Sequence, residues 1–488
     1  MFQDNERGKI RRRSILRTVS RAGRVALLGC ILVACGGTAA TPTTVPATAA
    51  PTATAAAAAP TATTATSGAA TATTAATSAP TVASAATATT EATSAPVAGD
   101  QVVNMLWTDT SNLRQPLIAD FTKATGIKVN QVQVQYNELL DKINTSVQGG
   151  GDVDVVEMDT IWTAQFASAG WIDDLSTQID DPLKKDIPAS ALGAVTYQGK
   201  IYGMPWYNSA KHLFYNAKLL KDAGFSSPPT TLDEFTQQAQ ATTKPGHQWG
   251  SVWGWKQAEG LVCDWVAIMF TNKDAQILDE NGKAVFNTHG GTEALQWMVD
   301  MLYKYKAADP ASLEYTEADV QKAFQTGTYA LTYNWEGDLP ADNDPTQSKA
   351  APNVRVALLP GSKDVRSSSV NGSEGWAILK QAKHKEAAWK LLQYMASPAW
   401  QKKSAIIAGD YPILSSLYSD PDLQKQVQDF SVYGEQFKYL AIRPQVPGYA
   451  QKSDIIQKHL HEALLGKVSP KDAMDAAAAE VNNASNAP

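Results

Sequence analysis

The sequence predicts an α/β protein of two lobes behind a leader and a long unstructured tether. Strand-length and helix-length segments alternate from Val102 to Asp159, the order that builds a parallel sheet with helices on its faces. Residues 101–488 also exceed the roughly 250–300 residues at which one hydrophobic core stops growing, so at least two lobes are required. Composition then breaks near residue 100: all 13 Trp lie at or after Trp107, whereas residues 38–99 are almost wholly Thr, Ala, Pro, Ser and Val. A stretch without aromatics cannot bury enough apolar surface to fold.

Residues 1–35 read as an export leader: a basic stretch ending at Arg24, an apolar run from Val25 to Ala34, then Cys35. The run is too short to span a bilayer. Leu32-Val33-Ala34-Cys35 resembles the bacterial lipobox, so Cys35 is expected to be the lipidated first residue of the mature chain; Leu27 to Cys30 also fits but leaves a shorter apolar run. Arg12-Arg13 resembles the twin-arginine export signal, with Sec export as the alternative. Residues 36–100 then form a tether, coil-like at roughly 45 Å or extended at roughly 200 Å. A glycosylated stalk is the competing reading of its Ser and Thr.

In the body, Val102 to Trp107 reads as a strand, Pro116 to Ala124 as a helix, Ile127 to Val134 as a strand, Glu138 to Val147 as a helix and Val153 to Asp159 as a third strand. Ligands of such sheets bind beyond the carboxyl ends of strands, which places Trp107 to Asp109 and Asp159 at a candidate site. Asp159 also suits a cap for a helix beginning near Ile161. Residues 202–216 read as extended, and helices are expected at 218–223, 232–241, 293–305, 319–326 and 386–395, with a strand at 355–359.

Charge narrows the partner. Taking the leader's +6 and the tether's −2 from the overall −6 leaves −10 on the body, which excludes the basic footprint that nucleic acid needs. Of three Cys, two lie in the leader, so no disulfide framework is available.

The chain resembles the extracellular solute-binding proteins of ABC sugar importers, most nearly the trehalose/maltose-binding type. The resemblance covers about residues 102–488. It rests on Phe121 with Thr125-Gly126-Ile127-Lys128-Val129, Asp154-Val155-Val156 before Met158-Asp159 and Trp162, and Gly199 to Pro205 followed by Leu213 to Asn216. Glu259 to Asp264, Asn334-Trp335, Gly375-Trp376, and Arg443-Pro444 with Pro447 and Tyr449 complete it. It implies a periplasmic-binding-protein-like fold: two α/β lobes, a hinge and an interlobe ligand cleft. The crossings are expected near Trp206 to Ser209, Val354 to Pro360 and Ala408 to Tyr411. The lobes would be 101–206 with 361–407, and 207–353 with 408–488.

A sugar offers an apolar C–H face and a rim of hydroxyls, so its site pairs aromatic plates with charged hydrogen-bonding groups. The resemblance nominates Trp335 and Trp376 as plates, Asp159 and Arg443 as charge-assisted partners, and Tyr207, Ser209 and Glu259 beside them. At the position of Ser209, proteins of the trehalose/maltose type carry an Asp, which leaves the particular sugar open. Trp206, Trp253 and Trp255 fit either the lining or lobe packing. A glycoside-acting enzyme would need a marked carboxylate pair, and a surface carbohydrate adhesin would need no cleft. No P-loop, dinucleotide fingerprint, zinc-ligand helix or nucleophile elbow is present. Asp279 to Gly282 looks like half a calcium loop but suits a hairpin turn. The expectation is an extracytoplasmic, lipid-anchored, monomeric sugar carrier serving an ABC permease, with no catalysis, cofactor or metal.

Overall fold

The computed structural model describes residues 102–109 and 111–484. The expected leader, Cys35 and the tether lie outside the described residues.

The first lobe is built on a five-stranded sheet in the order Lys128–Gln133, Val102–Trp107, Val155–Asp159, Glu374–Ile378, Met204–Tyr207. The first three strands run parallel and Glu374–Ile378 enters antiparallel to both neighbours. Sequence fixes where the connecting helices stop. Helix Gln115–Thr125 begins with Pro116 in its first turn and ends at Gly126 in the left-handed conformation (φ 75°), turning Leu117, Ile118 and Phe121 inward. Helix Tyr136–Gly149 ends in the same way at Gly150 and buries Leu139 and Ile143. All five residues of Val155–Asp159 are buried, as a central parallel strand requires.

A four-stranded sheet carries the second lobe, in the order Val354–Ala357, Lys211–Asn216, Tyr329–Trp335, Trp249–Ser251. Helices Glu259–Met269, Gly291–Tyr303, Tyr449–Leu464 and Pro470–Asn483 pack together beside it. Glu259–Met269 buries every residue after Glu259, so it runs through the lobe with only its first residue near the surface. The expected helices and strand all form, each displaced by a few residues; the extended segment 202–216 becomes two strands, one in each lobe. Asp279 closes a turn, accepting from the backbone N–H groups of Asn281 and Lys283 at 2.9 Å each, between bridged Leu278 and Ala284.

Strand pairing corrects one expected boundary. The chain does not return to the first lobe near Val354 to Pro360. Gly361 bridges Thr231, and Ser369–Val370 pairs in parallel with Leu440–Ala441, so residues 361–370 stay with the second lobe. The return comes at Asn371 to Ser373. The other crossings lie at Asn208 to Ala210 and just after helix Pro398–Ala408, where Gly409 takes a left-handed conformation (φ 76°). Hydrogen bonds tie the three together: Asn208 N–H to the Tyr411 carbonyl (3.0 Å), Gly372 N–H to the Ser209 carbonyl (3.0 Å) and Ser209 N–H to the Ser373 hydroxyl (3.1 Å).

Candidate functional site

A cavity of about 870 Å³ opens between the lobes, beside these crossings. Its first-lobe wall is the carboxyl edge of the parallel strands, which supplies Thr108 and Asp109, Tyr136 and Asp159 from three successive strand ends. The second-lobe wall comes from the start of helix Glu259–Met269, helix Glu317–Gln325 and the end of strand Tyr329–Trp335. Nine acidic side chains but only Arg114, Lys322 and Arg443 as cations line it, a balance that suits an uncharged ligand better than an anionic one.

Arg443 is the centre of the polar network. It is 1% exposed, and its guanidinium reaches Asp159 Oδ1 of the first lobe (3.1 Å) and Glu259 Oε1 of the second (2.8 Å). A further N–H donates to the Asn371 carbonyl at 3.3 Å. Burial opposes its charge, yet Asp159 and the other anions around it outweigh that and push its pKa well up. Both carboxylates have second donors. Tyr136 donates to Asp159 Oδ2 (2.5 Å), while Tyr449 (3.1 Å) and Ser453 donate to Glu259. Burial raises the Glu259 carboxyl even against Arg443. Asp159 Oδ1 also accepts from Ile161 N–H at 3.2 Å, so the turn-fixing and site roles coexist.

Two more cations, the buried Lys211 and the partly buried Arg114, are neutralised within the protein. Lys211 Nζ lies 2.7 Å from both Asp264 and Glu317, and 5.3 Å from the Trp335 ring centroid. Arg114 bridges Asp109 and Asp410 and lies 5.0 Å over the Trp206 ring. Neither cation was legible in the sequence, because its partners are up to 296 residues away.

Trp335 is a half-buried plate on the cavity wall. Its Nε1 donates to Glu317 Oε1 (2.9 Å), and Gly372 lies so close behind the ring that a Cβ there would sit 2.3 Å from it. The indole is thereby held from both sides. Trp376 is corrected: it is 0% exposed, packs on Trp107 and Trp206 at centroid distances of 5.7 and 4.6 Å, and does not line the cavity. Depth accounts for this: Trp376 shares a sheet face with Glu374 but lies two residues further along the strand, away from the cavity that Glu374 lines. Trp206 takes the lining role instead, whereas Trp253 and Trp255 stack on each other inside the second lobe's core.

Tyr207 and Ser209 line the cavity, and beside Ser209 the buried carboxyl of Glu336 accepts from the Ser209 hydroxyl and the Ala210 N–H. Burial pushes the Glu336 carboxyl up to about 8. The cavity thus unites Asp159, Tyr207, Ser209, Glu259, Trp335 and Arg443, and leaves out Trp376. Sequence reasoning missed Tyr136, Arg114, Glu317, Glu336 and Glu374. Only Tyr136 had a usable signal, its place just past a strand end.

Comparison with known proteins agrees with this architecture. Residues 106–402 match the family model of bacterial extracellular solute-binding proteins. A probable ABC transporter-binding protein of Deinococcus radiodurans is 29% identical over 366 residues, 72% of this chain and 86% of that one. Maltose-bound T. maritima MalE3 superposes with a TM-score of 0.73 at 28% identity, covering 78% of this chain and 99% of that chain. A Thermotoga lettingae ABC transporter solute-binding protein bound to α-D-tagatose gives 0.71 at 25% identity, with 78% and 99% covered. With the family model spanning more than half its length, this chain belongs to the bacterial extracellular solute-binding proteins.

Proposed function

We propose that this protein is an extracytoplasmic lipoprotein that binds a neutral sugar in the interlobe cleft and delivers it to an ABC transporter permease. The observation that carries the reading is the wall of the cavity: an oriented indole face, Trp335, beside hydroxyl-binding carboxylates and Arg443. That pairing suits a ring with an apolar face and a polar rim. The volume lies in the upper part of the roughly 300–1,000 Å³ range of small-ligand pockets, which favours a disaccharide or short oligosaccharide of the trehalose/maltose type over a single ring. The sugar-bound structures of relatives support the same class. No catalytic step is proposed, since Asp159 and Glu259 are both committed to Arg443.

Thermal shift of the purified protein against maltose, trehalose, D-tagatose, ribitol and D-mannitol tests this, because a ligand of the native state raises the melting temperature. A rise with the disaccharides is expected. A rise with the polyols alone would reassign the class, and no rise with any would refute the sugar reading. Anchoring through Cys35 is tested separately: Cys35→Ser should abolish lipid processing and release the protein from the membrane fraction.

A further inference from the structure

At the foot of the first-lobe wall two carboxyls meet with no cation between them. Glu157 is 0% and Glu374 8% exposed, on adjacent antiparallel strands in which Glu374 pairs with Asp159 and Trp376 with Glu157. Glu157 already has donors: Thr108 N–H at 2.8 Å and the Thr108 hydroxyl at 2.8 and 3.0 Å to its two oxygens. Glu374 differs. Its Oε2 is buried with no donor, while its side chain lines the cavity. The carboxyl of Glu157 is its hydrogen-bond neighbour, with the Tyr207 hydroxyl beside it. Arg114 and Arg443 are committed elsewhere, to Asp109 with Asp410 and to Asp159 with Glu259.

Two carboxylates in contact cannot both ionise in a low-dielectric site. Glu157, with the Thr108 donors, is the better anion, so the one proton of the pair belongs on Glu374, whose buried Oε2 has no donor. We propose that Glu374 is a ligand-positioning residue that works in its neutral form, sharing its proton with Glu157 and offering its other oxygen to a ligand hydroxyl. The inference rests on the sugar reading above and deepens it: this subsite takes an uncharged hydroxyl. Burial raises both carboxyls, Glu374 well above its ordinary value, with Glu157 and Asp159 adding to the effect and Tyr207 opposing it.

The test exploits a near-isostere. In Glu374→Gln the amide N–H₂ replaces the shared proton and the amide oxygen replaces the ligand acceptor. Maltose affinity by calorimetry should stay within about threefold of the parent, whereas Glu374→Ala should lose about tenfold or more, the cost of unpaired buried polar groups. A Gln variant as weak as Ala would overturn the proposal. A ligand-free readout stands apart from the sugar assay. The infrared difference between parent and Glu374→Gln at pH 7 should contain the C=O band of one protonated carboxyl. If the parent binds no sugar but shows the band, the sugar reading falls and the proton assignment stands; absence of the band overturns the assignment itself.

Discussion

Replacing Arg443 tests whether the interlobe network is a closed electrostatic unit. Arg443→Met keeps the length and apolar stem of the side chain but removes the guanidinium between Asp159 and Glu259, which are 3.1 and 2.8 Å away. Asp159 is 3% exposed, so two buried carboxylates would face each other with neutral donors alone as direct partners, Tyr136 and Ile161 N–H for Asp159 and Tyr449, Ser453 and Gln457 for Glu259. Breaking a buried ion pair from one side costs about 3–5 kcal/mol, because the remaining charge is uncompensated. With an unfolding entropy near 2.1 cal/mol/K per residue over about 380 ordered residues, that predicts a melting temperature lower by roughly 4–6 °C. Calorimetric melting at pH 7 measures it. The variant Arg443→Met/Asp159→Asn/Glu259→Gln removes all three charges and should recover most of the loss, since neutral replacement of a whole buried triad is close to neutral. A single variant that melts with the parent, or a triple variant no better than the single, would refute the reasoning.

The two tryptophans should separate cleanly. Trp335→Ala should weaken maltose binding by about 2–4 kcal/mol, the range for a truncated aromatic anchor, with little change in melting temperature because the ring is half-exposed; calorimetric titration decides it. Trp376→Ala should instead cost about 3–5 kcal/mol of stability by opening a core cavity, read from urea unfolding, so unchanged stability would return that residue to the site. Glu336 gives a pH prediction. Its carboxyl keeps a proton up to about 8, where the unfolded chain releases it near 4.5. Stability therefore falls as pH rises through that window, by up to about 1.4 kcal/mol per pH unit. Glu336→Gln should flatten the slope of melting temperature against pH between 5 and 8; parallel slopes would remove Glu336 as the cause.

What was legible in the sequence follows from range. Strand–helix alternation between Val102 and Asp159 is a local pattern, so the first sheet's parallel strands could be read directly. Asp159, Thr108 and Asp109 followed from the rule that sites lie beyond strand ends, whereas Trp107, expected beside them, is fully buried against Trp206 and Trp376 and does not line the cavity. The second crossing was misplaced because strand Val354–Ala357 looks locally like a strand about to leave the lobe, and what retains residues 361–370 is pairing with Leu440–Ala441, some 70 residues onward. Trp376 failed for a related reason. A glycine followed by a tryptophan has the same local appearance at a strand's mouth and two residues inside it. The counter-ions of Lys211 and Arg114 were invisible because a buried cation can be assigned only when its partners are known in space.

Those pairings also decide where binding energy comes from. Arg443, Lys211 and Arg114 are already matched by carboxylates of the protein, so a sugar hydroxyl that approaches them redistributes existing hydrogen bonds, and it gives up one to water as it does so. The net gain per such bond is about 0.5–1.5 kcal/mol. Trp335 keeps part of its apolar surface exposed on the cavity wall. Covering it removes apolar surface from water on both ring and sugar, at about 25 cal/mol per Å². On the proposed sugar reading, the charged network would set which hydroxyl patterns can enter, while the indole would supply most of the affinity. The Arg443 bridge would set both terms, since it joins Asp159 on one wall to Glu259 on the other and so fixes the spacing that a ligand must fit.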